Sequence, residues 1–183
     1  MNTVKRQRYL VLSGPFEIIF DGVQYNDIMY YNLDRSRLTD MTLEFGSAFS
    51  NIYDILFDDT GVLYMAGAIT VPAETPTIVP FATASFGNSS SVTQVGAYSN
   101  STFIPYSIAL YTNSNQEKIL YAAGLFGGLY DSPPASYGLV YGPPTKTGEW
   151  QAAGSNLLFD YFSGTAYHIV YKTGGSGLNG INN

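Results

Sequence analysis

Cysteine is absent from this 183-residue chain, and histidine occurs once, at His168. Without cysteine there is no disulfide framework and no thiolate metal site. With a single histidine, the nucleophilic triads of serine and cysteine enzymes and histidine-rich metal sites are nearly excluded as well. The sequence therefore predicts a protein that is not an enzyme, with no catalytic residues, no metal and no cofactor.

Charged residues are also scarce, at 12% of the chain, and the net charge is −6. The usual charged share is about a quarter. Lys5, Arg6 and Arg8 form a short basic start, which is typical of a solvated N-terminal arm. Because the rest of the chain is acidic, we expect no nucleic-acid partner. The acidic residues are scattered and mostly lie in turns, so paired carboxylates for glycoside hydrolysis are the weaker alternative.

Long apolar segments are missing too. No run approaches the roughly 20 residues that a membrane-spanning helix needs, so no membrane span is expected. Ser13, Gly14 and Pro15 interrupt the short apolar run at 9–12, so the first 20 residues do not resemble a cleaved secretory signal. We expect a place on an extracellular surface or in a virion, reached as part of an assembled particle.

Strand-forming and turn-forming residues are abundant, with 16 tyrosines, 11 phenylalanines and 19 glycines. Aromatic and β-branched residues favour strands, whereas lysine, glutamate and arginine, which favour helices, are few. Glycine, asparagine and proline favour the turns between strands. The composition therefore predicts an all-β protein.

A strand that ends in glycine recurs three times along the chain. It reads "RYLVLSGPF" at 8–16, "VLYMAGAIT" at 62–70 and "ILYAAGLFG" at 119–127. The glycines of this first series are Gly14, Gly67 and Gly124, at spacings of 53 and 57 residues. A second series follows at Gly46, Gly96 and Gly154. The two series keep nearly the same spacing from each other in all three occurrences, which predicts an internal repeat.

The repeat predicts a single all-β domain over residues 1–183, built from three units and a short tail. The units span about 9–62, 63–118 and 119–172, and a tail rich in glycine and asparagine covers 173–183. Turn-forming residues at Asp21-Gly22, Asp58–Gly61, 112–118 and Ser163-Gly164 separate strand-like segments within them. Each unit is therefore expected to hold about four antiparallel strands. The two acidic residues of the second turn offer oxygen atoms to Ca²⁺, but a hairpin turn explains them without a metal.

The pattern resembles the kelch-like repeats of bacterial and viral surface proteins. A blade of that kind reads W-x-x-L-G, then an apolar strand, then D-x-x-G-x-L-Y-x-G-G-x-F-T. Here "EWQAAGS" at 149–155 is similar to the first motif, and "FDDTGVLYMAGAIT" at 57–70 is similar to the second. The segments "ILYAAGLF" and "YLVLSGPF" match only its end. The second glycine of the GG pair is missing from every unit, and Trp150 is the only tryptophan.

The resemblance implies a β-propeller-like arrangement of three blades, with a β-trefoil or a β-sandwich as the alternatives. Three blades leave sheet edges open to other strands. The first strand, "RYLVLSG", and the last, "YHIVYK", carry few charges that would protect them. We therefore expect the edges to pair with other protein chains or with copies of this chain, and we do not expect a free monomer.

The sequence shows no recognisable set of catalytic residues. This favours a non-catalytic structural or protein-interaction module, within a surface or virion-like assembly. The alternative is a carbohydrate-binding, lectin-like module that contacts glycans, because tyrosine and tryptophan rings stack on sugars and also anchor protein interfaces. Aromatic residues near predicted turns are the candidates for ligand contact: Trp150, Tyr137, Tyr141, Tyr30 and Tyr31.

Overall fold

All regular structure in the described part of the chain is β-strand. The computed structural model describes residues 8–40, 50–71, 77–85, 92–96, 103–127 and 136–152. The strands are β1 (Tyr9–Phe20), β2 (Val23–Asn32), β3 (Arg37–Asp40), β4 (Ser50–Phe57), β5 (Val62–Val71), β6 (Thr77–Ser85), β7 (Val92–Gln94), β8 (Phe103–Thr112), β9 (Lys118–Gly127), β10 (Ser136–Gly142) and β11 (Gln151–Ala152). The prediction of an all-β protein is confirmed. These ranges contain no helix that is long and apolar enough to cross a membrane.

The strands form three antiparallel meanders, each in chain order. Sheet A contains β1, β2 and β3, sheet B contains β4 to β7, and sheet C contains β8 to β11. Neighbouring strands in a sheet are also neighbours in the sequence, so every sheet is built from local hairpins. Sheets B and C have the four strands expected of a unit, and sheet A has three among the described residues.

The hairpin turns lie where turn-forming residues predict them. Asp21 and Gly22 join β1 to β2 with φ of 49° and 77°, and two positive values are typical of a type I′ turn. Gly61 has a φ of 84° just before β5, and Gln116 has a φ of 65° just before β9. The fourth predicted turn, Ser163-Gly164, lies outside the described residues.

The first glycine series marks a β-bulge in each sheet. In sheet B the register of β5 against β6 shifts between Ala66 and Ile69, at Gly67. The same kind of shift occurs at Gly124 in β9 and at Gly14 in β1. A bulge inserts extra residues into one strand and bends it, and glycine is common where the backbone conformation is unusual. The repeated glycine therefore has the same structural position in all three sheets.

The sheets are out of phase with the predicted units. The predicted boundaries at 62/63 and 118/119 fall at the starts of β5 and β9, which are the second strands of sheets B and C. The described strands of the three sheets instead span 9–40, 50–94 and 103–152. The difference arises because a glycine period measures the length of a unit but does not mark its first strand.

Sheet B is covered on both faces. One face packs on sheet A in a core that includes Ile28 and Met65. The opposite face packs on sheet C in a core that includes Phe81, Leu120 and Trp150. Successive residues of a strand point to opposite faces, so alternate residues of β5 belong to different cores. Sheets A and C therefore lie on opposite sides of sheet B.

The three sheets also meet along strands that begin them. Strand β4 contacts both β1 and β8. Meanders of about four strands that stack face to face are what blades of a propeller would provide. The propeller stays a prediction, as do the trefoil and the sandwich.

Gly67→Ala should destabilise this fold. An added Cβ would collide with the Asn51 carbonyl oxygen, and the φ of 155° is rare for residues with a side chain. We expect urea unfolding to show a loss of about 3 kcal/mol from overpacking and backbone strain. Gly61→Asn is the control, since no described atom lies within 4 Å of its added Cβ and asparagine tolerates positive φ. Equal losses in the two variants would contradict the close approach at Gly67.

Candidate functional site

Asp58 stabilises the β4–β5 turn and links sheet B to sheet C. Its Oδ1 accepts hydrogen bonds from the Thr60 amide (2.9 Å), the Thr60 hydroxyl (2.7 Å) and the Val62 amide (2.9 Å). Its Oδ2 accepts from Lys118 Nζ of β9 at 2.6 Å and from the Tyr64 hydroxyl at 3.2 Å. The side chain of Asp58 is only 2% exposed, so these donors replace the water that the carboxylate loses.

Electrostatics keep this carboxylate charged. Burial by itself raises the pKa of Asp58, but hydrogen bonds from Lys118, Thr60 and the Val62 amide outweigh it, so the pKa lies well below its ordinary value. Burial, together with the charge of Asp58, raises the pKa of Tyr64 well above its ordinary value. Neither group exchanges a proton near neutral pH, which fits a structural ion pair better than a general acid or base.

A second carboxylate, Asp54 of β4, also crosses to sheet C. Its Oδ2 accepts hydrogen bonds from the Ser107 hydroxyl and the Ile108 amide of β8, both at 2.8 Å. Its Oδ1 accepts from the Ile55 amide at 2.9 Å. A strand amide in an interface needs an acceptor, and Asp54 supplies one across the boundary between the sheets.

A groove of about 680 Å³ lies beside the Asp58–Lys118 ion pair. Its lining includes Tyr64, Lys118, Tyr141, Pro143, Glu149 and Gln151. Rings and apolar side chains with a few polar groups are the usual mixture in a small-molecule site. The Tyr141 hydroxyl donates to Gln151 Oε1 at 2.9 Å, and the Tyr141 ring stacks on Tyr121 with centroids 5.5 Å apart. These two contacts hold the Tyr141 ring in place at the groove.

Two of the five predicted ligand-contact residues are core residues. Trp150 is 1% exposed and stacks on Phe81, with ring centroids 4.5 Å apart and an interplanar angle of 3°. Tyr30 is buried in sheet A, edge-on to Tyr9 at 5.2 Å. Large rings bury much apolar area when they pack between sheets. The expected ligand contact is therefore corrected for both, because neither ring is open to a ligand.

The structure separates the other three predicted residues. Tyr141 lines the groove, whereas Tyr31 is half-buried on β2 of sheet A. Tyr137 belongs to β10, but its side chain lies outside the described residues. Sequence reasoning misses Lys118 and Gln151 of the groove, because isolated polar residues beside turns form no motif.

Strand β1 is an edge of sheet A and carries most of the exposed apolar side chains. Eight of the eleven exposed large apolar residues in the described ranges lie between 9 and 33. Six of them are on β1: Tyr9, Leu10, Leu12, Ile18, Ile19 and Phe20. The Arg8 carbonyl accepts a hydrogen bond from the Leu33 amide, so the alternation of an antiparallel pair directs the backbone groups of Val11 and Ser13 away from β2.

No described group of three or more His, Cys, Asp or Glu side chains is placed to hold a metal. The Asp58 carboxylate of the acidic turn is instead occupied by protein donors. His168 lies outside the described residues. That the chain is not an enzyme stays a prediction.

Asp58→Asn should cost about 3 kcal/mol of unfolding free energy at pH 7, because it leaves the largely buried Lys118 without its counter-charge. Folding lowers the pKa of Asp58, so the stabilisation is complete above the unfolded-state pKa of about 3.9 and declines as the pH falls below it. Urea unfolding at pH 7 and pH 3 should therefore show that the wild type loses more stability on acidification than the variant.

Asp59→Asn is the matched control, since Asp59 is an exposed neighbour in the same turn. It should change stability by less than about 0.5 kcal/mol at either pH. A difference between wild type and Asp58→Asn that is the same at both pH values would count against the ion pair.

No protein-family model matches this chain, and no curated protein or solved structure is significantly similar to it. The groove, the ion pair between the sheets and the β1 edge are the features of the chain that bear on its function.

Proposed function

We propose that this chain is a non-catalytic structural module that joins other protein chains by adding a strand to the β1 edge. The observation that carries the proposal is the concentration of exposed apolar side chains on this one strand. Soluble proteins rarely leave a long apolar edge strand uncovered, because it templates pairing with another chain. A surface or virion-like assembly would supply the partner.

The other sheet ends offer less to a partner than β1 does. Strands β3, β7 and β11 are short, with four, three and two residues. Strand β8 contacts β4, β5 and β6 of sheet B, and β4 contacts β8 of sheet C as well as β1 and β2 of sheet A, whereas β1 contacts β4 of the neighbouring sheet. Strand β1 has twelve residues and a single charged one, Glu17. Short length and charged side chains protect many edges, whereas β1 is long and carries one charge, and the bulge at Gly14 is the protective feature that it has.

Arg8 holds the start of β1 in an extended conformation. Its Nε and Nη2 donate to Asp34 Oδ1 at 3.1 and 2.9 Å, and its backbone amide donates to Asp34 Oδ2 at 2.7 Å. Asp34 lies in the turn after β2, where Asn32 Oδ1 accepts from the Asp34 and Arg35 amides. A strand whose start is already held in place loses less conformational entropy when a partner binds.

Ile19→Lys should weaken self-association or partner binding by about tenfold or more, because it adds a charge to the β1 edge. Ile19 is 71% exposed, so the substitution leaves the core intact. Ile78→Lys is the matched control, since Ile78 is 67% exposed but lies on β6, an inner strand of sheet B. Light scattering should give a mass above 19.9 kDa for the wild type and for Ile78→Lys, with Ile19→Lys shifted toward the monomer.

A wild-type chain that stays monomeric at high concentration and captures no strand would overturn this proposal. If both lysine variants dissociate alike, association depends on surface charge in general and not on the edge.

The groove beside Tyr141 favours carbohydrate binding as a second candidate function. A tyrosine ring held by Tyr121 and Gln151 provides a stacking surface, and Lys118 and Glu149 provide polar groups for hydroxyls. A shallow open site of this kind suits part of a glycan chain better than an enclosed ligand.

Tyr141→Ala should abolish any reproducible binding on a glycan array, because it removes the stacking ring. Tyr53→Ala is the control, since Tyr53 is exposed on β4 and does not line the groove. Trp150→Ala is a poor probe, because loss of this core ring should cost about 3–5 kcal/mol of stability. Binding that survives Tyr141→Ala would exclude this groove as the glycan site.

A further inference from the structure

Gly67 and Gly124 lie where the first strand of a sheet comes closest to the second. A Cβ on Gly67 would collide with the Asn51 carbonyl oxygen of β4, and a Cβ on Gly124 would collide with the Ile104 carbonyl oxygen of β8. Asn51 and Ile104 are each the second residue of a first strand. Gly14 occupies the same bulge in β1, yet no described atom lies within 4 Å of its added Cβ.

Sequence and burial both identify β1 as the counterpart of a second strand. The matching segments are "LVLSG" at 10–14, "LYMAG" at 63–67 and "LYAAG" at 120–124. In sheet B, Leu63 and Met65 are fully buried. Their counterparts Leu10 and Leu12 are about half exposed. Strands β1, β2 and β3 therefore correspond to the second, third and fourth strands of sheets B and C. Among the described residues, no strand of sheet A corresponds to their first strand.

We propose that residues 156–162 of a second copy of this chain supply the first strand of sheet A. This inference rests on the proposed function and names the partner at the β1 edge. The segment reads "NLLFDYF" and follows Ser155, while β4 continues as "NIYDILF" after Ser50. The proposed occupant thus resembles in sequence the strand that sheet B already has in this position.

The asparagine at the start of the segment matches the backbone that this position requires. In β4, Asn51 lies against Gly67 and has a φ of 53°. Asparagine accepts positive φ more readily than most residues, because its short polar side chain bonds locally. The segment keeps this residue type at Asn156. Residues 156–162 lie outside the described part of the chain, so the match is one of sequence.

The length of the connection favours a second copy over the same chain. Nine residues, 41–49, connect sheet A to sheet B, and eight, 95–102, connect sheet B to sheet C. Three residues, 153–155, separate β11 from the segment, and a step of this length reaches at most about 14 Å. Crossing sheet C from β11 to β8 takes three strand spacings, or about 14 Å, and sheet B lies between sheets C and A. The connection is therefore too short to carry the segment to β1 of the same chain.

The pairing within sheet B gives the register of the exchanged strand. Met65 pairs with Ile55 in sheet B. Aligning Gly14 with Gly67 and Asn156 with Asn51 places Leu12 opposite Asp160. Directly opposed residues of an antiparallel pair have Cβ atoms about 5 Å apart, which is within the reach of a disulfide. If each copy gives its segment to the other, the dimer has two-fold symmetry.

The absence of cysteine makes this register testable by cross-linking. Full chains with Leu12→Cys and with Asp160→Cys are mixed in urea, refolded together and oxidised. We expect a disulfide-linked dimer of two 19.9 kDa chains, several-fold more abundant in the mixture than in either variant alone. The control mixture combines Asp160→Cys with Ile78→Cys, whose cysteine lies on an inner strand, and should give no such enrichment.

The outcomes distinguish a failure of this inference alone from a failure that also overturns the proposed function. If the chain associates through β1 but the Leu12→Cys mixture forms no enriched dimer, the second-copy strand is wrong and the proposed function stands. If a single chain that carries both Leu12→Cys and Asp160→Cys forms its disulfide within a monomer, the chain fills its own edge and both are overturned. A monomer with no cross-link also overturns both. Should Leu12→Cys fail to fold, Leu10→Cys with Phe162→Cys tests the neighbouring pair, since Leu63 pairs with Phe57.

Discussion

The close approach of two backbones at a glycine is the contact on which the sheets depend. At Gly67 and Gly124 the first strand passes so near the second that any side chain would push the two apart. The bulge at the same point bends the second strand and increases its twist. The repeated glycine thus marks the bulge in each sheet and, in sheets B and C, the point at which the first two strands come closest.

Much of the fold could be predicted from the sequence because its determinants are local. Asp21-Gly22 and Gly61 specify turns through the conformations that their own residues allow. The boundaries of the units could not be predicted, because the position of the glycine does not show which strand begins each sheet. The burial of Trp150 could not be predicted either, because the Phe81 ring on which it stacks belongs to a different sheet. Composition shows that a ring can stack but not what it stacks on.

The candidate site shows the same division between local and distant determinants. The Asp58 turn is encoded by the residues beside it, and its hairpin was predicted. The ion pair to Lys118 joins residues 60 positions apart and has no sequence signature. Asp54 reaches Ser107 over 53 positions in the same way. Two carboxylates on one hairpin therefore align sheet C against sheet B through hydrogen bonds whose geometry is stricter than that of apolar packing.

The burial of sheet B on both faces has a consequence for how the chain loses structure. A stack in which each sheet touches only its neighbours behaves as a nearly one-dimensional system, with stability passed from one layer to the next. The middle layer has two neighbours, whereas each outer layer has one among the described residues. Amide hydrogens of β5 should therefore exchange last and those of the outer sheets first. The partner strand proposed above pairs with β1 of an outer layer, so binding and local unfolding compete for the same sheet.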